Sequence, residues 1–547
     1  MSLATGARRG ALQRLDVLLP VALVAITVLV LAPRLASVVL LGHDDPISML
    51  DATCNQGRFA ETMPSGQWVA GSEWLTYWQM QTSGCFGQIS RDLAQYDLHP
   101  PLYFWALHGW MVLFGVSITS ALMLNLVLVC AAAVIVYATC RRLDVTPWIG
   151  FVAALGWALS FATRETASTI RPYTLLALCA AALLWAVVSW VKTSSAASLI
   201  AVGAVTTAGM LTQYHFVIFA GFTVGFAAWC LARDDRGKEA GILAGVAAAG
   251  GVLAFAIFPH LQQQMQAAED HAAMTLGDFP SGLWEAVKTL LQVFVPFDPE
   301  FFPGFLALVL YLATAAVAGF ALFKLAGKWR QQPNRQWLRV AMLPIAAGAA
   351  TWLVLVVLWV AGVSPAHAMG LRYVEFITPA LFVAVAQAAN WWPAANGVLK
   401  AAAVYIVGGA VLATIQYMAT GDADQAWVDK VGDADAVVTN SIIRGDVGRL
   451  AWYVDPQAQV YADSSAGLLE QMPVPSAQTE DGFAFVWRWY GSDAAKRKQI
   501  VEQFKQNGFE DVYSWSNPTY AESTGLPGRP GIFVYKPPQV MAPAPPA

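Results

Sequence analysis

The stretch VLLPVALVAITVLVLAPRLASVVLL, residues Val17–Leu41, decides the fold class of this chain. It is an almost unbroken apolar run, longer than the roughly 20 residues that carry a helix across a bilayer. Three arginines precede it, as in a signal peptide, but the run is too long for a signal sequence and no small-residue cleavage site follows. We therefore expect a membrane span that is retained.

Apolar blocks of similar length recur along the whole chain. Hydrophobic residues make up 57% of the 547 residues and charged residues only 12%, against about 25% in soluble domains, which fits the cost of placing charge in hydrocarbon. The pattern predicts a polytopic α-helical membrane protein. Its eleven predicted spans lie at residues 17–41, 119–140, 147–163, 172–190, 197–213, 216–232, 240–259, 304–323, 340–361, 373–390 and 399–418.

The distribution of Lys and Arg predicts the orientation of these spans. With the N-terminus in the cytoplasm, fifteen of the 32 basic residues lie in inner segments and seven in outer ones, in agreement with the positive-inside rule. The odd number of spans then places the C-terminal segment outside, in the periplasm of a bacterial inner membrane. The short apolar stretch 102–115 is expected to lie flat on the outer surface, because it is too short to cross.

Three regions are expected on the outer side: a loop at 42–118, a loop at 260–303 and the tail. Both loops belong to a predicted membrane domain, residues 1–420. The tail, residues 421–536, predicts a small α/β domain. Its strands are expected at 436–439, 459–461, 483–487 and 532–535, and an amphipathic helix at 494–507 that ends at Gly508. The Pro/Ala-rich end, residues 537–547, is expected to be disordered.

The cysteines agree with this orientation. Four of the six fall in predicted spans, whereas Cys54 and Cys85 both lie in the first outer loop. Disulfides persist in oxidising compartments such as the periplasm, and exposed free thiols are reactive. We therefore expect a Cys54–Cys85 disulfide, the alternative being two unpaired thiols.

Two groups of polar residues in the first outer loop are candidates for chemistry. Asp44 and Asp45 follow the first span directly, at the membrane surface, where a carboxylate can take a proton from an acceptor hydroxyl. Asp97 and His99 precede two prolines, which stiffen the backbone before the surface helix and can fix both side chains. Each group has a structural alternative: a solvated loop start for the Asp pair, and a rigid helix start for the second group.

Arginines at the outer ends of spans are candidates for binding phosphate, because a guanidinium can bind two oxygens at once. Arg164 and Arg171 lie in one outer turn, the latter before Pro172-Tyr173, and Arg372 begins a later span. These positions oppose the positive-inside bias and therefore need an explanation. For Arg164 the alternatives are snorkelling or a salt bridge to Glu165.

Tyr214 and His215, in another outer turn, can add hydrogen-bond donors. The second outer loop carries Asp270-His271, but two candidate ligands do not make a metal site. The sequence contains no Walker A motif, no dinucleotide-binding glycine pattern and no HExxH, and no basic run mixed with aromatics that indicates a nucleic-acid face. Nucleotide-driven transport, nicotinamide chemistry and nucleic-acid binding are therefore not expected.

Four stretches together resemble the GT-C superfamily of membrane glycosyltransferases, and within it the bacterial branch related to dolichyl-phosphate-mannose protein mannosyltransferases. That branch includes the lipid A aminoarabinose transferases and the rhizobial core galacturonosyltransferases. The resemblance covers residues 17–390. It rests on His43-Asp44-Asp45, on Asp97–Tyr103 (DLHPPLY), on Arg171–Leu175 (RPYTL) and on Arg372-Tyr373 followed by Pro379.

The resemblance implies inverting transfer of one sugar from a polyprenyl-phosphate donor to an acceptor hydroxyl on the outer face. Asp44 would be the base, and Arg171 and Arg372 would hold the donor phosphate. The sequence departs from the family pattern at Asp45, where a Glu is usual, and at the Pro46 that follows. Both Asp44 and Asp45 therefore remain candidates for the base.

The resemblance implies no nucleotide sugar and requires no metal, although the paired carboxylates and His43 form a candidate site for a divalent cation. The expected partners are the lipid-linked donor, membrane lipids and a glycan, lipid or protein acceptor. Two alternatives come from other classes. One is a transporter or flippase for a lipid-linked sugar, which buried ionisable residues at mid-span would favour. The other is a non-catalytic envelope scaffold that presents the tail.

Overall fold

The computed structural model describes residues 2–262, 279–297, 340–361, 370–390, 395–420, 422–487, 494–515 and 531–536, with single residues and short stretches between 305 and 327. The first thirteen helices are α1 (Ser2–Ala36), α2 (Asp45–Ala52), α3 (Gln56–Thr62), α4 (Gly71–Leu75), α5 (Phe86–Tyr96), α6 (Leu102–Phe114), α7 (Ile118–Arg142), α8 (Pro147–Ala158), α9 (Phe161–Ala167), α10 (Tyr173–Thr193), α11 (Ala196–Thr212), α12 (Phe216–Arg233) and α13 (Gly237–Ile257). The later ones are α14 (Phe279–Gln292), α15 (Leu343–Val360), α16 (Leu371–Val374), α17 (Thr378–Asn390), α18 (Ala395–Thr420), α19 (Asp422–Gly432), α20 (Arg444–Tyr453), α21 (Ser465–Glu470) and α22 (Ala494–Gln506).

Eight helices in the described part of the chain are long and apolar enough to cross a membrane. They lie at Leu15–Ala36, Ile118–Arg142, Tyr173–Thr193, Phe216–Arg233, Gly237–Ile257, Leu343–Val360, Leu371–Asn390 and Lys400–Ala419. All eight coincide with predicted spans. The spans predicted at 147–163 and 197–213 correspond to shorter apolar helices, and the one predicted at 304–323 lies largely outside the described residues. The prediction of a polytopic helical membrane protein is confirmed.

One predicted span is interrupted in the structure. α8 ends at Ala158 and α9 begins at Phe161, because Ser160 has an extended backbone and its Oγ accepts a hydrogen bond from the N–H of Thr163. A serine at this position satisfies an amide that the start of a helix leaves open. The residues that follow, including Arg164, therefore lie on a separate short helix.

The described residues divide into two compact units. The first lies within Met1–Ser37, Phe86–Trp110 and Thr119–Met418, and the second within Val38–Cys85, Met111–Ile118 and Ala419–Ala547. The division predicted from the sequence assigns all of 42–118 to the membrane domain. The structure differs because residues 68–70 of that loop form a strand of the C-terminal sheet.

In the first unit, α10 is the most buried of the candidate spans and contacts α11, α12 and α17. Its side chains are apolar on all faces, which is the pattern of a helix surrounded by other helices. α10 begins at Tyr173, directly after the predicted site residue Arg171. The packing of α10 thus fixes the backbone from which two candidate site residues extend.

The second unit contains a mixed sheet of six strands in the order β1-β3-β2-β4-β6-β5. The strands are β1 (Trp68–Ala70), β2 (Ala436–Thr439), β3 (Gln459–Ala462), β4 (Phe483–Trp487), β5 (Glu510–Trp515) and β6 (Gly531–Lys536). β2 is parallel to β3 and β4, and the other pairs are antiparallel. The four predicted strands and the helix before Gly508 are confirmed; β1 and β5 were not predicted.

The first loop also contains a covalent link. Cys54 and Cys85 form a disulfide, with their Cα atoms 6.4 Å apart, which confirms the predicted bridge. The other four cysteines are buried. The bridge closes the segment that carries α3, β1 and α4, all within the second unit.

Candidate active site

Arg171 in the first unit is held by the two polar residues that precede the proline pair. Its Nη2 donates to Nε2 of His99 at 2.9 Å, and Nδ1 of His99 lies 2.5 Å from Oδ1 of Asp97. Arginine can only donate, so Nε2 must accept and the imidazole proton must be on Nδ1, where it is donated to Asp97. Arg171 is 6% exposed. The three predicted residues therefore form one partly buried chain of hydrogen bonds.

The two predicted arginine–tyrosine span starts lie side by side. The ring of Tyr173 contacts the ring of Tyr373 edge-on, with centroids 5.7 Å apart, and the guanidinium of Arg372 lies 5.0 Å from the centroid of the Tyr373 ring. The hydroxyl of Tyr173 is buried and has no hydrogen-bond partner among the described residues. A buried hydroxyl without a partner is costly, so this donor is suited to a ligand.

His215 lies in the turn between α11 and α12. Its ring packs against Tyr214 and Phe376, with centroids 6.0 and 5.2 Å away. Burial lowers the pKa of His215 to about 4, and the neighbouring His99 acts in the same direction. Burial also raises the pKa of Tyr214. Both side chains are therefore uncharged at neutral pH and can serve as hydrogen-bonding groups only.

Arg164 is used differently from Arg171. It is fully buried, and its Nη1 donates to the backbone carbonyls of Leu159 and Pro296 at 2.5 and 2.6 Å. Glu165 pairs with Arg34 at the end of α1. These contacts tie α9 to two distant segments, which is a structural use of Arg164. Glu165 contacts Arg34 rather than its neighbour in sequence.

The acidic motif in the second unit begins α2. Asp44 is the N-cap residue, and its carbonyl accepts from the N–H of Ser48 at 3.1 Å. Asp45 is 2% exposed, and its Oδ2 accepts from the N–H of Gly42 at 2.7 Å. Asp44 is half-buried. The two carboxylates are therefore not equivalent, because Asp45 is used to hold the loop and Asp44 keeps access to solvent.

Two residues of α20, Asp446 and Arg449, interact with this motif, and the sequence analysis did not identify them. Nδ1 of His43 lies 3.0 Å from Oδ1 of Asp446, whose Oδ2 accepts from the hydroxyl of Ser441 at 2.8 Å. Burial works to raise the pKa of Asp446, but the hydrogen bond and charge of His43 and the charge of Arg449 hold it below its ordinary value. Asp446 is therefore an ionised acceptor. Nothing in the local sequence of α20 marks these two residues.

The motif was also a candidate for a divalent cation. In the part of the chain that the structure describes, His43, Asp44, Asp45 and Asp446 do not bring three ligand atoms within reach of one another.

The family described as dolichyl-phosphate-mannose-protein mannosyltransferase matches residues 98–263. No curated protein matches the chain in sequence. The crystal structure of ArnT from Cupriavidus metallidurans bound to undecaprenyl phosphate is similar, with a TM-score of 0.51, 12% identity, and coverage of 97% of this chain and 99% of that one. The crystal structure of apo ArnT from the same organism is also similar, with a TM-score of 0.51, 11% identity, and coverage of 94% of this chain and 97% of that one. The chain has the GT-C fold.

The family match covers part of the GT-C fold only. It contains His99, Arg171, Tyr173, Tyr214 and His215, which all belong to the first unit; His99 contacts Arg171, and the ring of His215 packs against Tyr214. Asp97 lies one residue before the match, and Arg372 and the acidic motif lie outside it. Asp270 and His271 of the second outer loop lie outside the described residues, as does the predicted disordered end at 537–547.

Proposed function

We propose that this chain is an inverting glycosyltransferase that moves a single sugar from a polyprenyl-phosphate donor to an acceptor hydroxyl on the periplasmic face of the inner membrane. The acceptor class is an envelope glycan, a glycolipid or a protein. The observation that carries the proposal is the buried Arg171 held by His99 and Asp97, inside the segment that matches the mannosyltransferase family. ArnT, whose fold is similar, was crystallised with undecaprenyl phosphate.

Arg171 and Arg372 are the proposed ligands of the donor phosphate. A phosphate that leaves with the polyprenol gains negative charge as the glycosidic bond breaks, and cations fixed in advance stabilise that charge. His99 fixes the plane of the Arg171 guanidinium, which favours binding of two oxygens. Tyr173 offers a hydroxyl donor close to Tyr373. Asp97 acts on this group through His99. Arg164 is assigned a structural role.

Asp44 is the proposed base. The acceptor oxygen attacks the anomeric carbon, the carbon–oxygen bond to the phosphate breaks with its electron pair on the phosphate, and the hydroxyl proton passes to the Asp44 carboxylate. Attack from the face opposite the leaving group inverts the configuration. Asp45 is less suited, because it is buried and already accepts from Gly42.

The positions of charge support transfer over transport. In the eight candidate spans of the described chain, charged side chains occur near the helix ends rather than at mid-span. A transporter moves its substrate past the membrane centre and commonly carries ionisable groups there. Charge at the ends is suited to a reaction at the membrane surface, where the phosphate of a lipid carrier is held.

The test is transfer of radiolabelled sugar from a panel of polyprenyl-phosphate sugars to cell-envelope extract by purified protein in lipid. Asp44→Asn is expected to lower kcat by about 100-fold or more, because general-base catalysis supplies about 10²–10⁴. Glu61→Gln, an exposed carboxylate in the same loop, is the matched control and is expected to retain activity.

Equal transfer by wild type and Asp44→Asn would exclude Asp44 as the base. No transfer from any donor, with donor lipid still bound, would refute the proposed reaction. The anomeric configuration of the product, read by NMR, is expected to be opposite to that of the donor.

A further inference from the structure

Helix α20 approaches the acidic motif more closely than side chains normally allow. A Cβ atom added to Gly445 would lie 2.4 Å from the carbonyl oxygen of His43, and one added to Gly448 would lie 2.4 Å from Cβ of Pro46. Real Cβ atoms do not approach other atoms this closely, so only glycine permits the contact. Two glycines one helical turn apart thus let α20 lie directly against residues 43–46.

This contact places a carboxylate on His43. Asp446 is ionised and 12% exposed at its side chain, and it accepts from Nδ1 of His43 at 3.0 Å. The hydroxyl of Ser441 holds its other oxygen. An ionised carboxylate can only accept, so the imidazole must carry a proton on Nδ1, and in its neutral form it presents Nε2 as an acceptor. A carboxylate behind a histidine is a common way to set both the tautomer and the orientation of the ring.

Arg449, one turn after Asp446, adds a positive charge that acts on the carboxylates of the motif. It is 2% exposed and interacts electrostatically with Asp446, Asp45 and Asp44. Burying a guanidinium is costly unless carboxylates compensate it. The cost indicates that the charge balance of three carboxylates depends on this side chain, and that α20 and the acidic loop form one electrostatic unit.

The topology of the sheet indicates that His43 and Asp446 lie where such sheets bind ligands. β2 lies between β3 and β4 and is parallel to both. The chain passes from β2 to β3 on one side and then crosses to β4 on the other side of β2. In sheets of this order, ligands bind beyond the carboxyl ends of the strands, at the point where the order reverses. Ser441 and α20 follow the carboxyl end of β2. Asp446 therefore holds His43 at the edge where α/β domains place ligands.

We propose that Asp446 is a positioning residue of the transfer reaction, which fixes His43 in the Nδ1–H tautomer and, with Arg449, holds the loop that carries Asp44. The inference rests on the proposed function and deepens it, because it makes the sheet domain part of the apparatus that positions the base. A domain that only captured acceptor would alter KM; a positioning domain alters kcat.

The first measurement is independent of activity. Full-length protein in lipid, labelled with ¹⁵N-histidine, contains seven histidines, and the signal of His43 is identified by its loss in His43→Gln. The wild type is expected to show the Nδ1–H tautomer, and Asp446→Ala to shift it toward Nε2–H. Asp455→Ala, an exposed carboxylate after α20, is the control. An unchanged tautomer in Asp446→Ala overturns the proposal.

The second measurement is transfer kinetics. Asp446→Ala is expected to lower kcat by about 10–100-fold with KM for both substrates unchanged, and Asp446→Glu to restore part of the loss. The double variant His43→Ala/Asp446→Ala is expected to be no slower than His43→Ala alone, because both changes act through one group. Additive losses of kcat in the double variant, or a change in KM with kcat unchanged, would contradict the proposal.

Asp446→Asn, which keeps the size of the side chain but removes its charge, replaces Asp446→Ala if that variant does not fold, with the same expected fall in kcat. A wild type that transfers no sugar would refute the proposed function. The tautomer measurement would still decide whether Asp446 positions His43.

Discussion

At the scale of single residues, the orientation of Arg171 depends on a histidine 72 positions earlier in the chain. His99 accepts from its guanidinium only while the imidazole proton is on Nδ1, and Asp97 ensures this by accepting that proton. The two prolines after His99 restrict the backbone conformation of the loop. The orientation of the Arg171 guanidinium is thus set within the protein itself, which would lower the cost of organising the proposed phosphate site.

Replacement of Arg171 is therefore expected to be severe. Arg171→Ala should lower kcat about 10²–10³-fold, the usual effect of removing a donor that stabilises developing negative charge. Arg171→Lys keeps the charge but loses the planar fork, so its activity should be intermediate. Transfer kinetics and binding of polyprenyl phosphate check both. Arg233→Ala, exposed at the end of α12, is the control; equal activity of Arg171→Ala and this control would contradict the assignment.

His215 gives a pH dependence whose sign can be worked out. Its pKa is about 4 in the folded protein and about 6.5 when unperturbed. Between these values the unfolded chain binds more protons, so stability is complete above about pH 7 and falls as the pH is lowered toward 4, by up to ~1.4 kcal/mol per pH unit.

The measurement is the Tm of purified protein at pH 7.5 and pH 5.0. His215→Gln is expected to reduce the fall in Tm between the two pH values, whereas His260→Gln, at an exposed histidine, should leave it as in the wild type. An identical fall in all three proteins would show that burial of His215 does not contribute.

Residue types were predictable from the sequence more readily than their partners. Asp97, His99 and Arg171 were all predicted as site residues because of their outer positions, but nothing local to any of them specifies the contact with another. Likewise, Glu165 pairs with Arg34, which is 131 positions away, rather than with Arg164 beside it. Pairing depends on how helices pack, and that information is spread over the whole chain.

At the scale of elements, α11 and α13 pack through small residues. A Cβ atom at Gly250 would lie 2.5 Å from the carbonyl oxygen of Gly203 and 3.2 Å from Cβ of Thr206, and Thr207 donates to the carbonyl of Gly250 at 2.8 Å. Lipid tails offer no hydrophobic drive for helices to associate, so close backbone approach supplies the contact energy instead.

Gly250→Ala should therefore destabilise the protein by about 1–3 kcal/mol, the usual cost of overpacking, although alanine is the better helix former by roughly 1 kcal/mol. Gly245→Ala is a control within the same helix, because a Cβ atom there meets nothing within 4 Å; it should be neutral or slightly stabilising. The Tm values in one detergent compare the two. A lower Tm for Gly245→Ala than for Gly250→Ala would contradict the packing argument.

Elements were predictable where their signal is local. The signal for a span is an apolar stretch of about 20 consecutive residues. Eight spans in the described part of the chain lie where they were predicted. β1 has three residues, and it was missed because its identity as a strand depends on pairing with β3, Trp68 opposite Tyr461. The predicted span at 147–163 is broken at Ser160, whose cap competes with an otherwise continuous apolar run.

At the scale of the whole molecule, three separate segments of the chain, residues 38–85, 111–118 and 419–547, contribute to its second unit. Residues 38–85 fold with the C-terminal sheet, and the disulfide and β1 both lie in this segment. Because covalent order separates the two parts by more than 300 residues, composition alone could not group them. The acidic motif therefore folds with the C-terminal domain, which the sequence predicted to be separate from the loop that carries the motif.

The orientation of the chain is the last prediction. Fifteen basic residues against seven predict that the N-terminus is inside and the sheet domain outside, and a disulfide in the second unit fits an oxidising compartment. A membrane-impermeant thiol reagent applied to intact spheroplasts should label Gln457→Cys, exposed in the sheet domain, and should reach Ala196→Cys, exposed at the start of α11, only after lysis. The native thiols are buried or bridged, so their background is low. The reverse labelling would put the sheet domain in the cytoplasm, where nucleotide sugars are made, and would remove the reason for a lipid-linked donor.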